Sequence, residues 1–242
     1  MEGGMSNGER KVLVTGCDYG LGVELVKAAL ARGYMVYAGC LAPGRAKEMK
    51  ELKKRHGVKL EVFGLDLASE ASIKRACMGV GRKTKRLDLL INNAGIFWND
   101  GLDKVNFADF TRMCAVNAFG PVCLIRHLRG LLRAAGEAKI INVSSESGSM
   151  GVVNGIRPIY AYGASKAALN MFTRRLAFEL AGEGTRVISV HPGWMKTPMG
   201  RASGEPEQEP AQTAENIFNL AERMDNSMNG GFFIHTGERH PW

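Results

Sequence analysis

The chain has 242 residues, of which 45% are hydrophobic, and this is enough for one sizeable core. The formal net charge of +8 suits an anionic ligand, but the basic residues are spread out, and no basic block interleaved with aromatic residues indicates nucleic-acid binding. The five cysteines are widely spaced, without a CxxC or Cys/His cluster, which argues against a disulfide framework and against a metal site. MEGGMSNGER at the N-terminus lacks the apolar core of a signal peptide, and no apolar run approaches the roughly 18 residues of a membrane span. We therefore expect a soluble, cytoplasmic protein.

Short apolar or β-branched runs alternate with helical patterns along the chain. Strands are predicted at 11–16, 34–39, 59–67, 87–95, 139–145, 186–193 and 230–235, and helices at 21–32, 44–56, 70–83, 107–135, 159–182 and 211–224. The nearly continuous apolar runs are typical of parallel strands covered on both faces. The alternation predicts an α/β fold with a doubly wound, Rossmann-type parallel sheet of about seven strands, in one domain (11–242) after a flexible N-terminus (1–10). Ligands of such sheets bind beyond the carboxyl ends of the strands, so the functional residues should directly follow strands.

The first predicted strand runs into TGCDYGLG, residues 15–22, which opens a helix. Gly16, Gly20 and Gly22 allow a tight turn, close approach of a phosphate and close packing of the helix on the strand. The N–H groups at the helix N-terminus would then face a pyrophosphate. This order of strand, turn and helix favours a dinucleotide site over an ordinary glycine-rich loop. A carboxylate at Asp18 would repel a phosphate, so we expect its side chain to point outward.

The stretch after the second predicted strand, AGCLAPGRAK, distinguishes between two dinucleotides. NAD sites often carry an acid here that binds the adenosine ribose, whereas this stretch has no acid and contains Arg45. The pattern favours NADP(H), with NAD(H) as the alternative if Arg45 only begins a solvated helix. Asp66, after the third strand, could accept a hydrogen bond from the adenine amino group or cap the helix that begins near Ser69.

YGASK within the segment 157–169 combines a tyrosine and a lysine at helical spacing. Tyr162 and Lys166 are four residues apart and share a face, in a helix that Pro158 is well placed to start. An ammonium group near the phenol favours the phenolate and is expected to lower the Tyr162 pKa, which would make Tyr162 a general acid or base. The alternative is a surface Tyr–Lys pair. Tyr160 falls on another face and is interpreted as packing or as lining a substrate pocket.

Three polar motifs accompany this pair. NVSS ends a strand at the same edge of the sheet and places the Ser145 hydroxyl where it could bind a substrate oxygen. NNAG, residues 92–95, ends the fourth strand with two amides and a glycine. Asn117 lies inside a predicted helix, where asparagine is a mediocre helix former, and a local backbone bond or a water could explain it.

These motifs together resemble a known family. TGCDYGLG, NNAG, Asn117, NVSS, YGASK and HPGWMKT occur in the order of the short-chain dehydrogenase/reductases across nearly the whole chain. The closing GGFFIHTGERHPW is similar to that of the C-factor and Sniffer-like carbonyl reductase subgroup. The resemblance implies an NADP(H)-dependent oxidoreductase that reduces a ketone or aldehyde reversibly, and a homodimer or homotetramer formed through the helices at 107–135 and 159–182. The alternative is a cofactor-binding signalling protein of C-factor type with little turnover. An epimerase or dehydratase would need a larger C-terminal domain.

The resemblance also implies a role for each matching residue. Tyr162 would be the acid or base, Lys166 would lower its pKa and hold the nicotinamide ribose, Ser145 would polarise the carbonyl, and Asn117 would hold a water. The implied cofactor residues are Gly16, Asp18, Tyr19, Gly20, Leu21, Gly22, Leu41, Arg45, Asp66, Leu67, Asn93, Ala94, Gly95, Tyr162, Lys166, Pro192, Gly193, Trp194, Met195 and Thr197. Among these, the glycines would frame the diphosphate, and HPGWMKT would surround the nicotinamide amide.

The chain departs from the family pattern in three places. The spacing from Ser145 to Tyr162 is longer, which adds a loop (150–159) near the expected substrate mouth. Glu146 follows the serine and is expected to point outward or to cap a backbone group, although it could raise the Tyr162 pKa or bind a cationic substrate. Tyr19 stands where NADP-preferring relatives often carry a basic residue.

The substrate pocket is predicted from position in the chain alone. Its candidate residues are Phe97, Trp98, Val153, Ile156, Trp194 and Met199. Each could simply be packing, but the group favours an apolar or aromatic carbonyl compound. His191, between a buried strand and a proline, is interpreted as structural.

Overall fold

The computed structural model describes residues 8–152, 159–202 and 204–242, and these residues form a seven-stranded parallel sheet. The strands are β1 (Lys11–Thr15), β2 (Met35–Cys40), β3 (Leu60–Gly64), β4 (Leu89–Asn92), β5 (Lys139–Val143), β6 (Arg186–His191) and β7 (Phe232–Ile234). Their order in the sheet is β3-β2-β1-β4-β5-β6-β7, which confirms the predicted doubly wound fold. Residues 1–7, most of the segment predicted to be flexible, lie outside the described part of the chain.

Helices cover both faces of the sheet. They are α1 (Leu21–Ala31), α2 (Lys47–His56), α3 (Glu70–Lys83), α4 (Phe107–Cys114), α5 (Gly120–Arg133), α6 (Tyr160–Leu180), α7 (Pro198–Arg201) and α8 (Pro210–Arg223). Successive residues of a strand point to opposite faces, and in β1 Val12 and Val14 belong to a core with Phe218 of α8, whereas Leu13 belongs to a second core with Leu124 of α5. This double burial explains the continuous apolar runs of the strands. None of the helices in the described ranges is long and apolar enough to cross a membrane.

The switch point of the sheet lies between β1 and β4. The chain adds β2 and β3 on one side of β1 and then places β4 on its other side. The Thr15 hydroxyl at the end of β1 accepts hydrogen bonds from the Asn93 and Ala94 amides, both at 3.0 Å. The loops that leave the two strands are thereby joined at the edge where ligands of such sheets bind.

The predicted helix 107–135 is interrupted in the structure. A π-helical turn, Ala115–Phe119, separates α4 from α5, and Asn117 lies in its middle. Pro121 follows Asn117 by four residues and has no N–H to donate to its carbonyl, so a regular α-helix cannot continue through this point. Such single π-turns are frequent at functional sites.

Other boundaries differ by a few residues. The fourth strand ends at Asn92, so most of NNAG belongs to the loop that follows, and α2 begins at Lys47 rather than near residue 44. The short helix α7 was not predicted. It begins at Pro198 and is capped by the Thr197 hydroxyl, which accepts from the Gly200 amide at 3.1 Å.

Candidate active site

A cavity of about 660 Å³ opens at the carboxyl ends of β1 and β4. All of the predicted cofactor residues except Gly193 and Trp194 line it, and so does Met199, one of the predicted substrate residues. The glycine loop and the catalytic helix α6 thus face one continuous space.

The glycine loop forms a cradle that side chains would fill. Gly16 has a φ of 71°, and a Cβ atom there would lie 2.7 Å from the Ala94 Cα. A Cβ atom on Gly22 would lie only 2.0 Å from the carbonyl oxygen of Gly16. Gly20 forms the N-cap of α1 and provides no capping side chain. Free N–H groups at a helix N-terminus and a backbone that can be approached closely fit the diphosphate of a dinucleotide.

The side chain of Asp18 was expected to point outward, but it does not. Its carboxylate accepts hydrogen bonds from the backbone amides of Leu41 and Ala42, both at 2.8 Å. These two amides compensate the charge that would otherwise repel a phosphate. The prediction was wrong because the partners of Asp18 are more than twenty residues away in sequence, at the end of β2.

The structure also separates the two proposed roles of Asp66. Ser69 is the N-cap of α3, and its hydroxyl accepts from the Ser72 amide at 3.3 Å. Asp66 instead accepts from the Ala68 amide at 2.9 Å and lines the cavity. The capping alternative for Asp66 is therefore wrong, and an interaction with adenine stays a prediction.

Tyr162 and Lys166 line the cavity, as does Ser144, whereas the adjacent Ser145 does not. Ser145 follows β5, while Tyr162 and Lys166 lie in the first two turns of α6. The Ser145 hydroxyl lies close enough to the Tyr162 phenol to lower the pKa of the phenol. Lys166 is 4% exposed, donates to the Val143 carbonyl at 2.8 Å, and places its ammonium 5.7 Å from the centre of the Tyr162 ring. The alternative of a surface Tyr–Lys pair is excluded.

Burial shifts the pKa values of Tyr162 and Lys166 in the directions that favour their neutral forms. It raises the pKa of Tyr162 to about 12, against the lowering effect of the neighbouring Ser145 hydroxyl. It lowers the pKa of Lys166 to about 8. The net shift of the Tyr162 pKa is therefore opposite to the expected lowering, because removal of the phenol from water is the dominant effect. Near neutral pH the phenol of Tyr162 carries its proton.

Asn117 is held by protein groups on every side. Its side chain accepts from the Ile96 amide at 2.8 Å, and it donates to the Ile96 carbonyl at 2.9 Å and to the Ser165 hydroxyl at 3.0 Å. Asn117 therefore fixes the loop after NNAG against α6. The role of holding a water stays a prediction.

On the substrate side, Phe97 packs edge-on against Tyr162, with ring centres 4.9 Å apart and an interplanar angle of 89°. Trp194 donates its indole N–H to the Gly200 carbonyl at 2.9 Å, which places it on α7 rather than in the cavity lining. Tyr160 is 50% exposed and does not line the cavity. The predicted substrate residues Val153 and Ile156 fall outside the described residues.

The indole nitrogen of Trp98 is buried and has no hydrogen-bond partner among the residues that the structure describes. The position of Trp98 directly after Phe97 is compatible with either packing or substrate contact.

Sequence reasoning missed the support of the Pro192–Gly193 turn. Gln208 donates to the Pro192 carbonyl at 3.3 Å and lies 2.8 Å from the His235 ring nitrogen. A Cβ atom on Gly193 would lie 2.0 Å from the Gln208 side-chain oxygen, which requires glycine there. No local signal in the sequence marks Gln208, because it lies more than a dozen residues beyond the motif that it holds.

His191 supports the serine loop. Its Nδ1 accepts from the Glu146 amide at 3.2 Å, while the Glu146 carboxylate is 57% exposed and lies 3.8 Å from Nε2. Burial lowers the pKa of His191 to about 4, and the neighbouring His240 and His235 act in the same direction. The outward orientation of Glu146 and the structural role of His191 agree with the interpretation of the sequence.

The lowered pKa of His191 should make stability depend on pH. Because the folded pKa lies below the unfolded value of about 6.5, the unfolded chain binds the extra proton, and stability is lost as the pH falls from about 6.5 towards 4. We expect His191 to contribute a loss of about 2 kcal/mol in the free energy of unfolding between pH 7.5 and pH 5. Urea unfolding of wild type and His191→Gln at both pH values measures this. An equal loss in the two proteins would contradict it.

The sequence profile of the short chain dehydrogenase family matches residues 10–208. An uncharacterized oxidoreductase of Schizosaccharomyces pombe is 30% identical, with 95% of this chain and 96% of that protein covered. The structure of an NADPH-bound carbonyl reductase from chicken fatty liver superposes with a TM-score of 0.90 at 31% identity, covering 97% of this chain and 99% of the other. The carbonyl reductase Sniffer of Drosophila melanogaster does so with a TM-score of 0.90 at 29% identity, covering 97% and 100%. The predicted family is confirmed, and the chain is an oxidoreductase of the short-chain dehydrogenase family.

Proposed function

We propose that the protein is an NADP(H)-dependent carbonyl reductase that interconverts a ketone or aldehyde with the corresponding alcohol. The observation that carries this proposal is the position of the Tyr162 phenol, which lies near Ser145 and beside buried Lys166, in the cavity that the glycine loop also lines. The fold is shared with the chicken and Drosophila carbonyl reductases. The apolar surroundings of Tyr162, including Phe97, support an apolar or aromatic substrate.

The chemistry divides between the cofactor and the protein. NADP(H), when bound, supplies or accepts the hydride. In the reductive direction the Ser145 hydroxyl would polarise the substrate carbonyl, and Tyr162 would donate a proton to the forming alkoxide. Lys166 would hold the nicotinamide ribose and stabilise the phenolate left on Tyr162. The raised pKa of Tyr162 supports the donor role, because the proton is present near neutral pH.

The preference for NADP(H) rests on charge at the far end of the cavity. Arg45 lines the cavity there, and within the described ranges its guanidinium has neither a hydrogen bond nor an ion pair. The stretch after β2 contains no acid at the place where an NAD site would present one to the ribose. The chicken relative carries NADPH.

Self-association through the helices at 107–135 (α4 and α5) and 159–182 (α6) is part of the proposal. Phe107 on α4 is exposed, as are Met171 and Phe178 on α6. Exposed large apolar side chains on packed helices support an interface, here with a second copy of the chain. A dimer and a tetramer remain alternatives, and the cytoplasmic location stays a prediction.

Separate titrations with NADPH and NADH, followed by nicotinamide fluorescence, test the proposed function. Tight binding of NADPH with turnover of carbonyl compounds would support it. Binding without turnover would favour the signalling alternative, and binding of neither nucleotide would refute the proposed cofactor site.

Replacement of Arg45 tests the cofactor preference. Arg45→Ala should weaken NADPH binding by about 10-fold and leave NADH binding nearly unchanged, since only NADPH has the 2′-phosphate that a guanidinium would contact. Arg55→Ala, on the exposed surface of α2, removes the same charge away from the cavity and serves as the control. Equal weakening of both nucleotides by Arg45→Ala would mean that Arg45 does not contact the 2′-phosphate.

A further inference from the structure

We propose that Arg112 forms one wall of the adenine half-site and packs its guanidinium plane on the adenine ring. This inference rests on the proposed function, because it assumes that the cavity binds an adenine dinucleotide. Arg112 was not among the predicted site residues. It lies in α4, outside every motif that follows a strand.

The helical position of Arg112 directs it towards the cavity. Arg112 and Val116 are four residues apart, so they share a face, and both line the cavity. The helix segment that follows packs directly on the loop after β3, since a Cβ atom on Gly120 would lie 2.7 Å from the Leu67 Cβ. Leu67 and Ala68 of that loop also line the cavity. From this packing we infer that Arg112 and the β3 loop bound the same part of the site.

The guanidinium of Arg112 is available for a ligand. Its side chain is exposed, and no hydrogen bond or ion pair joins it to another residue in the described part of the chain. Other arginines nearby are occupied: Arg126 pairs with Glu70 of α3, and Arg129 pairs with Glu179 and Glu183. An unpaired cation on the wall of a cavity is one that a ligand can use.

The position of Arg112 favours contact with the adenine rather than with the 2′-phosphate. Arg45 lies in the loop after β2 and provides a cation where the 2′-phosphate is expected. Arg112 lines the same cavity as Leu67, Ala68 and Asp66, the residue predicted to meet the adenine amino group, and its helix continues to Gly120, which packs on Leu67. A guanidinium is planar and weakly hydrated, and it stacks well on aromatic rings. Val116, one turn further along the helix, adds an apolar contact to the same wall.

Binding measurements on three variants test the assignment. Arg112→Ala should weaken NADPH and NADH by the same factor, roughly 3- to 10-fold, because both nucleotides carry the adenine. Arg112→Lys should recover little of this loss, because an ammonium retains the charge without the stacking plane. Arg82→Ala on the exposed surface of α3 is the charge control and should leave both affinities unchanged. The thermal unfolding temperature of each variant without nucleotide should equal that of the wild type.

Three results would overturn the inference in distinguishable ways. Unchanged affinities of Arg112→Ala, in a protein whose wild type binds NADPH, would show that the side chain does not contact the nucleotide. A loss confined to NADPH and rescued by Arg112→Lys would assign Arg112 to the 2′-phosphate. Failure of the wild type to bind either nucleotide would refute the proposed function itself, together with this inference.

Discussion

Tyr162→Phe should lower kcat by about 10²- to 10⁴-fold and leave the Kd for NADPH close to that of the wild type. The substitution removes one hydroxyl group and keeps the ring that packs against Phe97. The proton donor is thereby lost, whereas the glycine loop that would bind the diphosphate is untouched. Steady-state kinetics and a fluorescence titration on the same preparation measure the two effects separately.

Tyr160→Phe is the matched control for this variant. Tyr160 lies two residues earlier in α6, is half exposed and does not line the cavity, so the turnover of Tyr160→Phe should equal that of the wild type.

The raised pKa of Tyr162 also predicts how the two directions of the reaction depend on pH. Reduction needs the protonated phenol and should proceed near neutral pH, whereas alcohol oxidation needs the phenolate and should accelerate as the pH rises. Wild-type turnover in Tyr162→Phe would end the catalytic assignment.

Gly22→Ala should abolish measurable nucleotide binding. The new Cβ would lie 2.0 Å from the Gly16 carbonyl oxygen and 2.9 Å from the Asn93 side-chain amide, so the backbone of the glycine loop must move. Overpacking of this kind typically costs about 1–3 kcal/mol, and we expect a loss of unfolding free energy in that range. Fluorescence titration and urea unfolding measure the two consequences.

Gly130→Ala separates the steric effect of Gly22→Ala from the effect of alanine on helix propensity. Gly130 also lies within a helix, α5, and a Cβ atom there would meet nothing within 4 Å. This control should bind nucleotide normally and gain up to about 1 kcal/mol of stability, because alanine is the better helix former. Retention of tight NADPH binding by Gly22→Ala would refute the assignment of the glycine loop to the diphosphate.

The sequence predicted the sheet well because its signals are local. Apolar runs such as KVLVTG and KIINVSS are buried on both faces, and the motifs that follow them lie where strand ends meet. Interactions between distant segments left no such signal. The Asp18 carboxylate, the π-helical turn before Pro121 and the support of the Pro192–Gly193 turn by Gln208 depend on partners or strain that appear only after folding.

The predicted direction of the Tyr162 pKa shift was wrong for a related reason. Spacing four residues apart showed that Lys166 would be near, but the size of a pKa shift depends on how far both groups are removed from water. Burial is a property of the whole fold around α6. A pair of residue types at the right spacing therefore predicts contact better than it predicts protonation.

The two hydrogen bonds of Asp18 have a consequence for cofactor engineering. Leu41 and Ala42 begin the loop that carries Arg45, and their amides are attached to the glycine loop through one carboxylate. A transplanted loop that recognises NAD(H) instead of NADP(H) would have to present two backbone amides at the positions of Leu41 and Ala42. Without these two amides, the glycine loop would lose its hydrogen bonds to the loop after β2, and the carboxylate charge of Asp18 would be uncompensated. Cofactor exchange in this chain is therefore a coupled redesign of two loops, with Asp18 as the residue that links them.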